Sequence, residues 1–195
     1  MANVLPTTPG AISAEPTLVS GAGKLSPANR GPEQRRNRAG ARYEWKVEIE
    51  PQSQEDANEW ADIDDESDTC ILVIPQVDYD AGTPGAPLVN GGAQSGANII
   101  LDGLTPYYVI RKNWWLTIIT GGQRYTYRAR AETVVDASGA VTLPLRTMLR
   151  VPPADNDVVE LVNPTVEGFV TPSDGCWRVD GDQLVRLKFT LRERE

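Results

Sequence analysis

The chain has 195 residues, enough for one domain with a sizeable core or two small ones sharing an interface. Its 19 basic and 27 acidic residues leave a net charge of -8, which argues against a general binder of nucleic acid or anionic membrane, since both need basic surface. No histidine occurs, so the commonest general base, the commonest metal ligand and the usual partner of a nucleophilic Ser or Cys are all missing.

The 15 prolines and 17 glycines favour many short strands over a few long helices. No apolar run approaches the roughly 20 residues that cross a bilayer. The opening "MANVLPTTPGAISAEPTLVS" has neither a basic n-region nor a continuous apolar h-region. A soluble protein without a membrane anchor, made in a cytoplasm, is expected. Cys70 and Cys176 lie far apart in sequence. Two reduced, partly buried thiols are the expectation, with a disulfide left open.

Residues 1–40 read as an extended arm, because prolines at 6, 9, 16, 27 and 32 block helices. Such a segment buries little, and in an isolated monomer disorder is the first expectation. Yet it carries apolar side chains (Val4, Leu5, Ile12, Leu18, Val19 and Leu25), which suits an arm that orders against a neighbouring subunit.

From residue 41 to 195 the pattern is a β-rich domain. "RYEWKVEIEP" alternates Tyr43, Trp45, Val47 and Ile49 against Glu44, Lys46, Glu48 and Glu50, a half-buried antiparallel strand. A helix is predicted near 53–66, started by a Ser53/Asp56 capping box and carrying Ala57, Trp60 and Ala61 as a thin apolar stripe. "TCILVIP" comes next as an apolar strand. Further strands are predicted at Ile99–Leu101, Tyr107–Ile110, Trp114–Thr120, Arg124–Arg130, Thr133–Val135 and Ala140–Leu145. A last pair is expected across the Asp180-Gly181 turn, with Val185, Leu187, Phe189 and Leu191 on one face. The fold class is all-β, an antiparallel sandwich or barrel-like meander, with one short helix and the extended N-terminal arm.

Charge is segregated along the chain. Lys24–Arg42 holds six basic residues and one acid; Glu44–Asp80 holds thirteen acids and one base. Solvated faces of different sign are one account. The other sets a basic arm (Arg35, Arg36, Arg38, Arg42) against an acidic surface (Asp62, Asp64, Asp65) of the next copy, a complementarity that fixes register and partner. In the glycine-rich "LVNGGAQSGANIILDGLTP", Gln94 and Ser95 form an exposed tip and a candidate contact.

The same loop is not a phosphate cradle. Its glycines lead into no Lys-Ser/Thr pair, and the "ANIILDG" after them reads as strand where a phosphate site needs a helix N-terminus. "DIDDESD" has the alternate acids of a calcium loop but neither its turn glycine nor its closing glutamate. Two thiols without histidine make an unusual zinc set. Many carboxylates are present, but nothing singles out a pair for glycoside hydrolysis. Trp114–Trp115 and Tyr107–Tyr108 are candidate sugar-stacking residues, although neighbours on a strand face opposite ways and core packing suits them better. No enzyme, no metal and no cofactor are expected.

The order of "RNRAGARYEWKVEIEPQSQEDANEWADI", "PLVNGGAQSGANIILDGLTP" and "DASGAVTLPLRTMLR" followed by "VELVNP" resembles a family of tailed-bacteriophage tail proteins, also found in prophages, of the minor tail or distal-tail type. The resemblance spans most of residues 35–190. It departs where members carry a Gly-Asp pair before a Trp-x-x-Ile strand; here that place holds Arg111, Lys112 and Asn113. It implies a non-catalytic virion protein whose copies close into a ring, a trimer or hexamer, joining tail tube to hub or baseplate. A carbohydrate-binding β-module of a receptor-recognition apparatus is the alternative.

Overall fold

The computed structural model describes residues 2–8, 10–26, 31–36, 39–50, 52–60, 63, 69–76, 79–179, 181 and 184–194, without the side chains of 24, 25, 34–36 and 172–176. The segment before residue 41 contributes β1 (Asn3–Val4), β2 (Ala11–Val19), β3 (Gly23–Leu25) and β4 (Gln34–Arg36). The alternating stretch is β5 (Arg42–Ile49), and it buries Tyr43, Trp45, Val47 and Ile49 as its period requires. Helix α1 (Gln54–Asn58) starts where expected, with the Ser53 hydroxyl accepting from the Asp56 N–H at 3.2 Å. It is shorter than the predicted 53–66. Its stripe is used: Ala57 and Trp60 are buried, and a further turn brings Ile63 into the same core. Ala61 and most of the acidic run lie outside the described residues.

The remaining strands are β6 (Cys70–Val73), β7 (Gly85–Val89), β8 (Asn98–Leu104), β9 (Val109–Ile110), β10 (Trp115–Thr120), β11 (Gln123–Arg128), β12 (Thr133–Val134), β13 (Val141–Pro144), β14 (Val158–Glu160), β15 (Thr165–Val179) and β16 (Val185–Glu193). They form one six-stranded sheet in the order β1-β6-β15-β16-β5-β2 and a second in the order β11-β10-β14-β7-β8-β13, with small pairs β9/β12 and β3/β4. The architecture is all-β and includes a curled half-barrel. Every pair is antiparallel except β1 with β6. β7 and β14 were not legible in sequence. Asp180 of the expected final turn lies outside the described residues, while β15 and β16 pair as predicted. Cys70 is buried; the Cys176 side chain is among those not described.

The N-terminal arm is extended, as expected, and it docks on its own chain. β2 pairs with β5 from Ala11–Ile49 to Val19–Arg42, β1 lies along β6, and Leu5 is only 2% exposed in the first core. The physical reason is that β5 and β6 would otherwise be open sheet edges.

Each sheet has its own core: Trp45, Trp60, Leu187 and Phe189 centre the first, and Ile99, Leu116, Tyr127 and Leu143 the second. Where the sheets meet, Trp115 of β10 enters the first core, and beside it the contacts are polar. The β10–β11 register, with Thr120 opposite Gln123, leaves the N–H groups of Arg124 and Thr126 pointing away from the hairpin. Two buried glutamates of the first sheet accept them, Glu167 from Arg124 at 3.1 Å and Glu193 from Thr126 at 2.7 Å. Glu193 also accepts from the Tyr43 N–H at 2.9 Å and pairs with Arg150, whose guanidinium stacks on Tyr125 at 5.1 Å. Glu167 also accepts from the Thr69 hydroxyl at 3.1 Å. Thr117 bridges alongside, donating to the Thr165 carbonyl at 2.6 Å and accepting the Thr165 N–H at 2.8 Å.

Burial pushes the Glu193 carboxyl above its ordinary range, while Arg150 and the two backbone N–H groups pull it back. Removing the negative charge strands Arg150 in a dry site. Glu193→Gln is therefore expected to cost about 3 kcal/mol in urea unfolding, with Arg150→Met in the same chain restoring part of the loss. A single-variant change below about 0.5 kcal/mol, the range of an ordinary surface substitution, would show that the joint is dispensable. Close approach of the two central strands, β15 and β16, is tested at Gly168, where a β-carbon would collide with the Arg192 carbonyl oxygen. Gly168→Ala is expected to lose about 1–3 kcal/mol in the same assay.

Candidate functional site

The predicted contact residues do not gather into one place. Arg42 opens β5 in the first sheet and is half-buried, while Gln94 and Ser95 sit in the β7–β8 loop of the second. Arg35 and Arg36 lie on β4 without described side chains, and Arg38, Asp62, Asp64 and Asp65 lie outside the described residues. Ser95 is exposed. Gln94 turns inward, its amide donating to the carbonyls of Asn90 at 2.9 Å and Gly91 at 2.8 Å while accepting the Ile100 N–H at 2.7 Å. It staples the glycine-rich hairpin and has little left to offer a partner.

A different constellation stands out, at the turn from β9 into β10. Asn113 takes a left-handed conformation (φ 73°), which Asn tolerates better than most residues. Its carbonyl accepts from Arg128 Nε at 3.0 Å and its side-chain oxygen from Arg146 Nε at 3.0 Å. The turn sends Trp114 and Trp115 to opposite sides, as strand geometry dictates. Trp115 packs into the first core against Tyr43 at 4.7 Å and Trp45 at 4.9 Å. Trp114 is half-buried against the second core, edge-on to Tyr79 at 4.8 Å and with Arg111 over its ring at 5.8 Å. Both indoles therefore serve packing, the better-suited of their two expected roles, and Trp114 also faces a cleft.

That cleft, of about 380 Å³, is walled by Trp45, Gln76, Tyr79, Lys112, Trp114 and Arg128 among others. Gln76 Oε1 holds the Trp115 N–H at 3.1 Å, while Gln76 Nε2 and Trp45 Nε1 are buried without a hydrogen-bond partner among the described residues. The Arg128 guanidinium stacks on Trp115 at 4.9 Å. Burial lowers its affinity for its proton, and so does the nearby charge of Arg146. No Asp or Glu lines the cleft among the described residues. The walls thus present donors, positive charge and aromatic surface, a set that binds acceptor-rich groups. Among the described residues no group of three or more His, Cys, Asp or Glu is placed to hold a metal.

Reading the sequence misses Gln76, Arg128 and Arg146, which meet only in space. The one local signal is the "RKNWW" juxtaposition of cations and indoles. Fold and cleft define an all-β, two-sheet protein with a basic aromatic cleft. Compared with known proteins, the chain matches no family model and no curated sequence.

The Tyr79 phenol, which donates to the Leu161 carbonyl, is pushed up to about 12, chiefly by burial and also by the neighbouring Tyr108. A raised folded-state value means the stabilisation is complete below the unfolded tyrosine value near 10 and is lost as pH climbs toward 12. Stability should fall across that window, and the fall should be smaller in Tyr79→Phe; equal slopes in denaturant titrations would rule the linkage out.

Proposed function

We propose that the protein is a structural component of a phage tail, assembling into a ring at the distal tail that joins the tail tube to hub or baseplate proteins. The tail assignment rests on the resemblance of its motifs. The ring rests on the apolar exposure of the N-terminal strands: Val4 is 69% exposed on β1, and Ile12 and Leu18 are 58% and 46% exposed on β2. These are the two outer strands of the same six-stranded sheet. Exposed apolar side chains on a sheet edge are a liability for a monomer and an asset for an assembling subunit. A contact between two different edges is heterologous, and it closes into a ring when its rotation closes.

The joint relies on side chains more than on a continuous ladder. Tyr43 directs its N–H toward β16, and so by strand alternation does Trp45, while Glu44 and Lys46 between and beyond them face β2. Pro16, opposite Trp45, therefore turns its nitrogen outward and has no hydrogen to donate there. Pro16 interrupts any strand added along β2, which keeps the edge from pairing indiscriminately.

Removing residues 1–40 would not test this cleanly, because it also removes Leu5 from the core and uncovers β5 and β6. Ile12→Asp with Leu18→Asp leaves buried contacts alone. In mass photometry the wild-type chain should assemble and the double variant should need about tenfold or more protein to do so, with an unchanged circular dichroism spectrum. A wild-type chain that stays monomeric at high concentration, or a variant that assembles equally well, would end the ring reading.

A further inference from the structure

A chain of net charge -8 gathers four cations, Arg111, Lys112, Arg128 and Arg146, around one turn. Among the described residues none of the four is in an ion pair with a carboxylate. Elsewhere the same chain does match its charges, as in Arg150 with Glu193 and Lys188 with Glu48 at 2.8 Å. Lys46, Arg130 and Arg192 also stand outside any ion pair among the described residues, so what marks this cleft is the gathering of four such cations around one turn beside a half-buried indole. It also falls on the Arg111–Lys112–Asn113 stretch, where the motif order departs from the tail proteins it resembles.

The positions are held in advance. Asn113 clamps Arg128 through its carbonyl and Arg146 through its side chain, and Arg128 is backed by the Trp115 ring. A ligand in the cleft would meet an Arg128 side chain that is already ordered, which lowers the entropy lost on binding. The cleft's roughly 380 Å³ falls within the range of sites that hold small ligands.

Two properties of the walls select the ligand. Cations and surplus donors call for an anionic, oxygen-rich group. The Trp114 indole calls for an apolar face beside that charge. A bare phosphate or sulfate has the first without the second, and a neutral sugar has the second without the first. We infer that this cleft binds an acidic saccharide, a pyranose bearing a carboxylate, with the carboxylate against Lys112 and Arg128 and the C–H face of the ring against Trp114. The site neither needs nor opposes assembly into a ring, so the two are tested separately.

The probe is a galacturonate tetramer titrated calorimetrically into the full chain. Its controls are the methyl-esterified tetramer, which keeps the ring and loses the charge, a neutral glucose tetramer and a hexaglutamate peptide. The galacturonate should bind, lose affinity on added salt, and bind about tenfold or more weakly to Lys112→Glu, an exposed position whose change should leave the circular dichroism spectrum unaltered. Trp114→Ala should weaken it as well. Equal binding of the methyl ester would overturn recognition by charge. Hexaglutamate binding as tightly as galacturonate would make the cleft a peptide dock, and no binding of the galacturonate would end the proposal.

Discussion

Two glutamates hold this structure together. A β-sheet that ends on a strand leaves a row of N–H groups without partners, and β11 ends the second sheet inside the protein where water cannot serve them. Glu167 and Glu193, both under 5% exposed, reach across from β15 and β16 and accept those donors. The same carboxylates take Thr69 and Tyr43 from their own sheet, so each one ties an edge to a neighbouring strand. Arg150 supplies the countercharge that makes the Glu193 site tolerable in a dry environment. An apolar joint could press the sheets together, but it would leave the edge donors of β11 unsatisfied.

The other sheet ends differently, because its edges face outward. β1 and β2 cover β6 and β5 and become the edges themselves. One is only two residues long and the other carries a proline with its nitrogen turned out, both of which limit pairing with stray strands. Beside the backbone groups of these edges, apolar side chains remain exposed on them. The segment most rich in proline thus both closes the first sheet and presents its outer surface.

Much of this was legible. The alternation in "RYEWKVEI" and "VRLKFTLRE" puts alternate apolar residues on a buried face, and period-2 patterns carry that information locally. Glycine pairs marked the β10–β11 turn for the same reason. Helix α1 was recognisable at its start, where the cap is a local hydrogen bond, and overextended at its end, where the burial of Trp60 and Ile63 takes over. β7 escaped because Gly85 and Pro87 hide its pattern, and β14 because three residues are too few to show one. Gln94 was legible as a loop residue but not as a staple, since its partners depend on how the hairpin folds back on itself.

By itself the sequence determined the all-β class, most of the strands, the extended character of the N-terminal segment and the position of the helix start. Each of these comes from spacing or backbone restriction within a few residues. Tertiary structure alone decided that this segment docks on its own sheet, that Glu167 and Glu193 are buried caps among many exposed acids, and that Gln76, Lys112 and Arg128 line one cleft. Those outcomes depend on which distant strands become neighbours, and on whether a charge then finds a donor, an opposite charge or neither.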